Sequence, residues 1–98
     1  MELVKMLNQR IREVRQARGM SQVELARLLG VTKQSISNWE NDNIQPSIEM
    51  LVKLARALSV SADYLLGLEE RQILDVSGLS SQAIGHLQLV INDMKEKK

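Results

Sequence analysis

Residues 21–40, SQVELARLLGVTKQSISNWE, constrain this chain more than any other stretch. Ser21 opens SQVE, in which its hydroxyl can accept from the amide of Glu24 while the Glu24 side chain reaches back to the amide of Ser21. That reciprocal capping starts a helix. Leu25, Ala26 and Leu29 fall on one side of it, and Gly30 closes it, with a sharp turn continuing through Val31. Thr32 caps a second helix over 33–40, whose apolar positions Ile36 and Trp39 lie three apart. Both helices are too short to stand alone in water. Each must bury its apolar side, and the sharp turn at Gly30 makes the two cross.

The same reasoning reads the rest of the chain as helical. A first helix over about 4–18 carries Leu7, Ile11 and Val14 at i, i+4 and i+7 and ends at Gly19. The second covers 22–29 and the third 33–40. After the polar loop NDNIQP, Ser47 caps a fourth helix over 48–58 with an apolar stripe of Ile48, Leu51, Leu54, Ala55 and Leu58. Ser61 caps a short fifth helix over 62–66, ended by Gly67. No stretch alternates with period two, so the fold class is all-α: a five-helix domain over residues 1–67, then a linker and one further helix within 68–98.

Composition narrows the possible functions. The 98 residues contain no cysteine, which excludes disulfides and thiolate metal sites and agrees with a reducing compartment. Aromatic residues make up 2% of the chain, so the core is built from Leu, Ile, Val, Ala and Met. No apolar run approaches the ~18 residues of a membrane span, and the start, MELVKMLNQR, has no signal-peptide core. A cytoplasmic protein with no membrane partner is expected. Net charge is +1, with nine Lys/Arg against seven Asp/Glu in residues 1–67 and four against five in 68–98. Affinity for a polyanion must therefore come from charges focused on one face. His86 stands alone, and no carboxylate pair, Ser/His/Asp set or Gly-rich phosphate loop is present. An enzyme is the weakest reading, and no cofactor or metal is expected.

Two crossing helices of this design form a helix-turn-helix, in which one helix braces and the next enters the DNA major groove. A reading helix needs one buried face for stiffness and one polar face for base edges. Ile36 and Trp39 provide the first; Lys33, Gln34, Ser37 and Asn38 provide the second. Gln and Asn pair in bidentate fashion with adenine, and Lys donates to guanine or to a phosphate. Side chains at the helix start project farthest into the groove, so Lys33 and Gln34 lead as base readers. Phosphates bind at helix N-termini, where amides are free. Gln22, Ser35, Asn41, Asn43 and, from the first helix, Arg10 are the candidate phosphate ligands. Trp39 reads as core, Tyr64 as core or subunit packing, Glu24 as a cap, and Arg12 and Arg18 as solvated charges.

Three segments, RIREVRQARGMSQVELARLLGV, TKQSISNWEN and PSIEMLVKLARALSVSADYLL, together resemble the Cro and phage-repressor type of helix-turn-helix, the xenobiotic-response-element family of regulators. The resemblance covers residues 7–67. It implies a five-helix bundle with helix three in the major groove, phosphate contacts from Gln22 and Asn41, and base contacts from Lys33, Gln34 and Asn38. It also implies a partly buried ion pair between Arg15 and Glu40. The chain departs from the family pattern at Asp42 and Asn43, where Gly and a basic residue are frequent.

In the tail, Ser80 caps a helix over about 81–96. Ile84, Leu87, Ile91 and Met94 are spaced 3, 4 and 3, a heptad seam widened by Ala83 and Val90. At this length the seam must pack on something, either its own domain or the same helix of a second subunit. The second is preferred, because one recognition helix reads too few base pairs. The leading expectation is a dimeric DNA-binding transcriptional repressor whose partners are double-stranded DNA and a second copy. The alternatives are an antitoxin-like protein whose tail binds another protein, and an interaction module that has kept the fold without DNA binding.

Overall fold

A computed structural model describes residues 2–72 and 74–96; side chains are described from Met6 onward. Residues 1, 97 and 98, at the ends of the two expected segments, and residue 73 in the linker lie outside the described residues. The order of elements is α1 (Glu2–Ala17), α2 (Gln22–Leu29), α3 (Lys33–Glu40), α4 (Ile48–Leu58), α5 (Ala62–Leu65) and α6 (Ser81–Glu96). The described residues form helices and connecting turns only, as an all-α class requires.

Local chemistry sets these boundaries. The α2 capping box is present in both directions, with Glu24 N–H donating to Ser21 Oγ at 3.0 Å and Ser21 N–H donating to Glu24 Oε1 at 2.9 Å. Thr32, Ser47 and Ser61 cap α3, α4 and α5 through their side-chain oxygens. Gly30 ends α2 at φ 72°, and the next amide, on Val31, donates to the Ala26 carbonyl at 3.0 Å. This left-handed closure satisfies carbonyls that the end of the helix would otherwise leave bare. Ser59 closes α4 the same way at φ 57°, with Val60 N–H donating to the Ala55 carbonyl at 3.0 Å.

α1 through α5 pack around one aliphatic core. Ile11, Leu25, Ile36, Leu54, Leu58 and Leu65, drawn from all five helices, are fully enclosed. Leu7 and Val14 complete the α1 stripe, and Trp39 joins the same cluster. The expected α4 stripe needs one correction. Leu54, Ala55 and Leu58 are buried and Leu51 is half-buried, but Ile48 is 83% exposed. It is the first residue of α4 and sits at the margin of the stripe, where the first turn projects past the packed layer. α5 ends at Leu65, with Leu66 as its cap residue, one residue earlier than the spacing suggested.

α6 starts where Ser80 accepts from Ala83 N–H at 3.1 Å, and none of its residues is buried. Among the described residues, no helix is long and apolar enough to cross a membrane.

Truncating an enclosed side chain leaves a cavity, whereas truncating an exposed one does not. Leu54→Ala is expected to cost about 2–5 kcal/mol, and Ile48→Ala no more than about 0.5 kcal/mol, each read as the shift in a urea unfolding curve.

Candidate nucleic-acid interface

α3 turns two different faces to its surroundings. Ile36, Trp39 and Glu40 are buried. Lys33, Gln34, Ser37 and Asn38 lie on the other side at spacings of one, three and one, which is a single helical face. Lys33 and Gln34 are exposed; Ser37 and Asn38 are half-buried. Gln34 Nε2 donates to Asn38 Oδ1 at 3.0 Å, one turn on. Asn41, the cap residue of α3, donates from Nδ2 to Ser37 Oγ at 3.2 Å. A continuous row of amide and hydroxyl groups therefore runs along this face, held in register by its own hydrogen bonds.

The buried face is anchored by charge as well as by apolar contact. Glu40 is 2% exposed and Arg15 is 8% exposed. The pair is bidentate: Arg15 Nε donates to Glu40 Oε2 at 2.6 Å and Arg15 Nη2 to Glu40 Oε1 at 3.0 Å. Arg15 Nη1 also donates to the Met20 carbonyl at 2.7 Å, which ties the α1–α2 turn to the same group. Asn8 Nδ2 donates to the Glu40 backbone carbonyl at 2.9 Å. Burial by itself would push the Glu40 carboxyl up. The hydrogen bonds from Arg15, Gln22 and Arg12, together with the Arg15 charge, outweigh that and hold it below the ordinary carboxylate value. The hydrogen bond to Glu40 pushes Arg15 up in turn.

The candidate phosphate ligands divide. Gln22, the first residue of α2, is held in place by Glu40: its Nε2 donates to Oε1 at 3.1 Å, leaving the second N–H of that amide. Asn41 and Asn43 are exposed beyond α3, and the Asn43 amide donates to the Asn38 carbonyl at 2.9 Å. That turn requires Asp42 at φ 60°, a left-handed conformation, which explains why glycine is frequent there in the family pattern. Ser35 is half-buried, and its hydroxyl lies 3.1 Å from that of Thr32, so it belongs to the cap.

Arg10 requires a correction. Its Nη1 donates to the Tyr64 carbonyl at 3.0 Å, its Nη2 lies 3.3 Å from Glu70 Oε2, and its guanidinium sits 4.1 Å over the Tyr64 ring. The reason is helical geometry. Asn8, Arg12 and Arg15 share the side of α1 that meets Glu40, and a two-residue step turns Arg10 to the opposite side. Arg10 braces α5 and the linker and is not brought together with the other candidates. Arg12, read from sequence as a solvated charge, instead donates from Nη2 to Asn41 Oδ1 at 2.8 Å and from Nε to Glu40 Oε1 at 3.5 Å. The spacing held a partial signal: Asn8, Arg12 and Arg15 are four and three apart and so share one side of α1.

A helix-turn-helix family pattern matches residues 11–65, more than half of the chain, from the second half of α1 to the end of α5. The chain belongs to this family. Within the family, it is 41% identical over 64 residues to the HTH-type transcriptional regulator ImmR of Bacillus subtilis, covering 65% of this chain and 50% of ImmR. Its fold is similar to that of the P22 c2 repressor solved in complex with a synthetic operator, with TM-score 0.61 and 36% identity over 64% of this chain and 96% of that one. It is also similar to the SinR–SinI complex, with TM-score 0.60 and 30% identity over 93% of this chain and 99% of that one. The helix-turn-helix chain spans about half the length of the curated relatives it matches first.

Removing one partner strands the other charge in the interior. Arg15→Met is expected to cost about 3–5 kcal/mol of unfolding free energy. The pH dependence follows from the depressed Glu40 carboxyl. As pH falls, the unfolded chain takes up its proton first. The contribution to stability is full above the ordinary value of 4.5, declines through it, and is gone below the folded-state value. Urea midpoints measured from neutral pH downward should show this loss in the parent and a flatter acid limb in Glu40→Gln.

Proposed function

We propose that this chain is a sequence-specific DNA-binding transcriptional regulator, a repressor that acts as a dimer on an inverted-repeat operator. The observation that carries the reading is the two-faced α3: Ile36, Trp39 and the Arg15–Glu40 pair seat one side rigidly, and the other side presents a row of base-pairing side chains. Lys33, Gln34, Ser37 and Asn38 read base edges in the major groove. Gln22, Asn41 and Asn43 hold phosphates on either side, with Ser35 contributing at the start of α3. Operator occupancy excludes polymerase, and the site of action is the cytoplasm, where such DNA lies. The P22 repressor, similar to this chain over 64% of its length, was solved in complex with an operator, which supports the reading.

Residues 1–67 form the DNA-binding unit, and residues 68–98 the linker and dimerisation helix. Ile84, Leu87 and Met94 are exposed, Ile91 is half-buried, and Ala83 and Val90 widen the same face. A seam left uncovered by its own bundle is covered by a second copy. Two copies related by a two-fold axis then read half-sites about 34 Å apart. The second reading, in which α6 takes a different protein, is favoured by one observation: a structure similar to this chain over 93% of its length was solved as the SinR–SinI complex.

Selection from random duplex DNA should enrich an inverted repeat with half-sites about one helical turn apart. A single half-site would discard the dimer, and no enrichment would discard DNA reading. Gln34→Ala should relax preference at one base position by about 1–3 kcal/mol, whereas Gln22→Ala should weaken all sequences alike. Leu87→Asp with Ile91→Asp should give a folded monomer by light scattering; an unchanged mass would remove α6 from the dimer interface.

A further inference from the structure

We propose that Arg12 is a further DNA-phosphate ligand, the charged member of a site whose neutral donors are Gln22 and Asn41. The inference rests on the DNA-binding reading above and adds a cation to the neutral donors Gln22 and Asn41.

Three helices meet at a single carboxylate oxygen. Glu40 Oε1 receives Arg15 Nη2 at 3.0 Å, Gln22 Nε2 at 3.1 Å and Arg12 Nε at 3.5 Å. Arg15 already pairs with Glu40 through both oxygens, so the charge of the carboxylate is spent on the buried arginine. Arg12 gains only the longest of the three contacts, well beyond the usual 2.9–3.0 Å of an N–H···O bond. Two guanidiniums and one carboxylate leave one positive charge, and it sits on the arginine whose side chain is 46% exposed. One surplus positive charge is the complement of one phosphodiester.

The guanidinium is held in place. Its Nη2 donates to Asn41 Oδ1 at 2.8 Å, and Asn41 Nδ2 donates in turn to Ser37 Oγ at 3.2 Å. Nε and one Nη2 hydrogen are thereby used, which leaves three of the five guanidinium N–H groups. A planar fork with parallel donors matches two phosphate oxygens. The second N–H groups of Gln22 and Asn41, each bound to the same network, flank it. Because its side chain is anchored at both ends before DNA arrives, little rotamer freedom remains to be lost on binding.

Charge, anchoring and position thus converge on Arg12 and on neither Arg10 nor Arg18. Arg10 is engaged by Tyr64 and Glu70 on the opposite side. Arg18 donates to the Leu58 carbonyl at 3.0 Å, at the end of α4.

The test is the salt dependence of binding by the full chain, across about 50 to 200 mM salt, to a random-sequence duplex and to the selected operator. Arg12→Gln keeps a hydrogen-bond donor and removes the charge. It should lower the slope of log K against log salt by about 0.9 per protomer on both duplexes, with an unchanged thermal midpoint. Arg12→Lys should restore the slope. Arg18→Gln, which removes an equal charge just past the end of α1, should leave it in place. A folded Arg12→Gln protein with the parent slope would overturn the proposal, as would an equal fall in Arg18→Gln, which would mark a diffuse field instead of a contact. If the parent chain binds neither duplex, the DNA-binding reading fails and this inference with it.

Discussion

The carboxylate of Glu40 receives four donor nitrogens, two from Arg15 and one each from Gln22 and Arg12. Its residue's backbone carbonyl takes a fifth, from Asn8. A buried ion pair is often no more stabilising than a well-packed apolar pair would be. What this one supplies is registry. Leucine in its place could slide, whereas a bidentate guanidinium fixes the last turn of α3 against α1 in distance and in angle. The orientation of the whole α3 outer face follows from that contact, and so does the direction in which Gln22 and Arg12 point.

The helix ends use one solution repeatedly, and the exception is informative. α2 stops on a left-handed glycine; α4 stops on Ser59 in the same conformation, and the turn after α3 puts Asp42 there. A side chain in the left-handed region costs roughly 1–2 kcal/mol relative to glycine, less for Asp, whose short polar side chain can bond locally. The chain accepts that cost immediately beside its polar face. The conformation delivers the Asn43 amide back to Asn38 and so fixes where the exposed loop leaves α3.

Local signals in the sequence were strong enough to place α2, α3, α4 and α6 to the residue, because each begins with a Ser or Thr whose oxygen takes the amide three residues on. Leu7, Ile11, Val14, Leu54 and Leu58 were legible from periodicity. Ile48 was not, because a stripe drawn on a helical wheel takes no account of where the neighbouring helices stop. The polar network was only half legible. The Arg15–Glu40 pair came from the family pattern, but Arg10 was read as a phosphate ligand and Arg12 as a solvated charge, and neither the Tyr64 contact of the first nor the Asn41 contact of the second was foreseen. Arg10 and Arg12 differ by two positions on one helix, and only the placement of Glu40 and Tyr64 on other elements decides which side of α1 meets which partner. How α6 relates to the bundle was open in the sequence, since an amphipathic face fits its own domain or another chain equally well.

Trp39 is the only tryptophan of the chain, and it is buried on the back of α3 next to Glu40. The single tyrosine lies on α5, and residues 68–98 contain no aromatic residue at all. Ultraviolet emission excited at the indole band therefore comes from one ring, enclosed in aliphatic side chains and joined to the helix that carries the polar row. The protein holds a built-in fluorophore on the rear of its outward-facing helix. Its spectrum gauges how firmly that helix is seated, without a label and without interference from the tail.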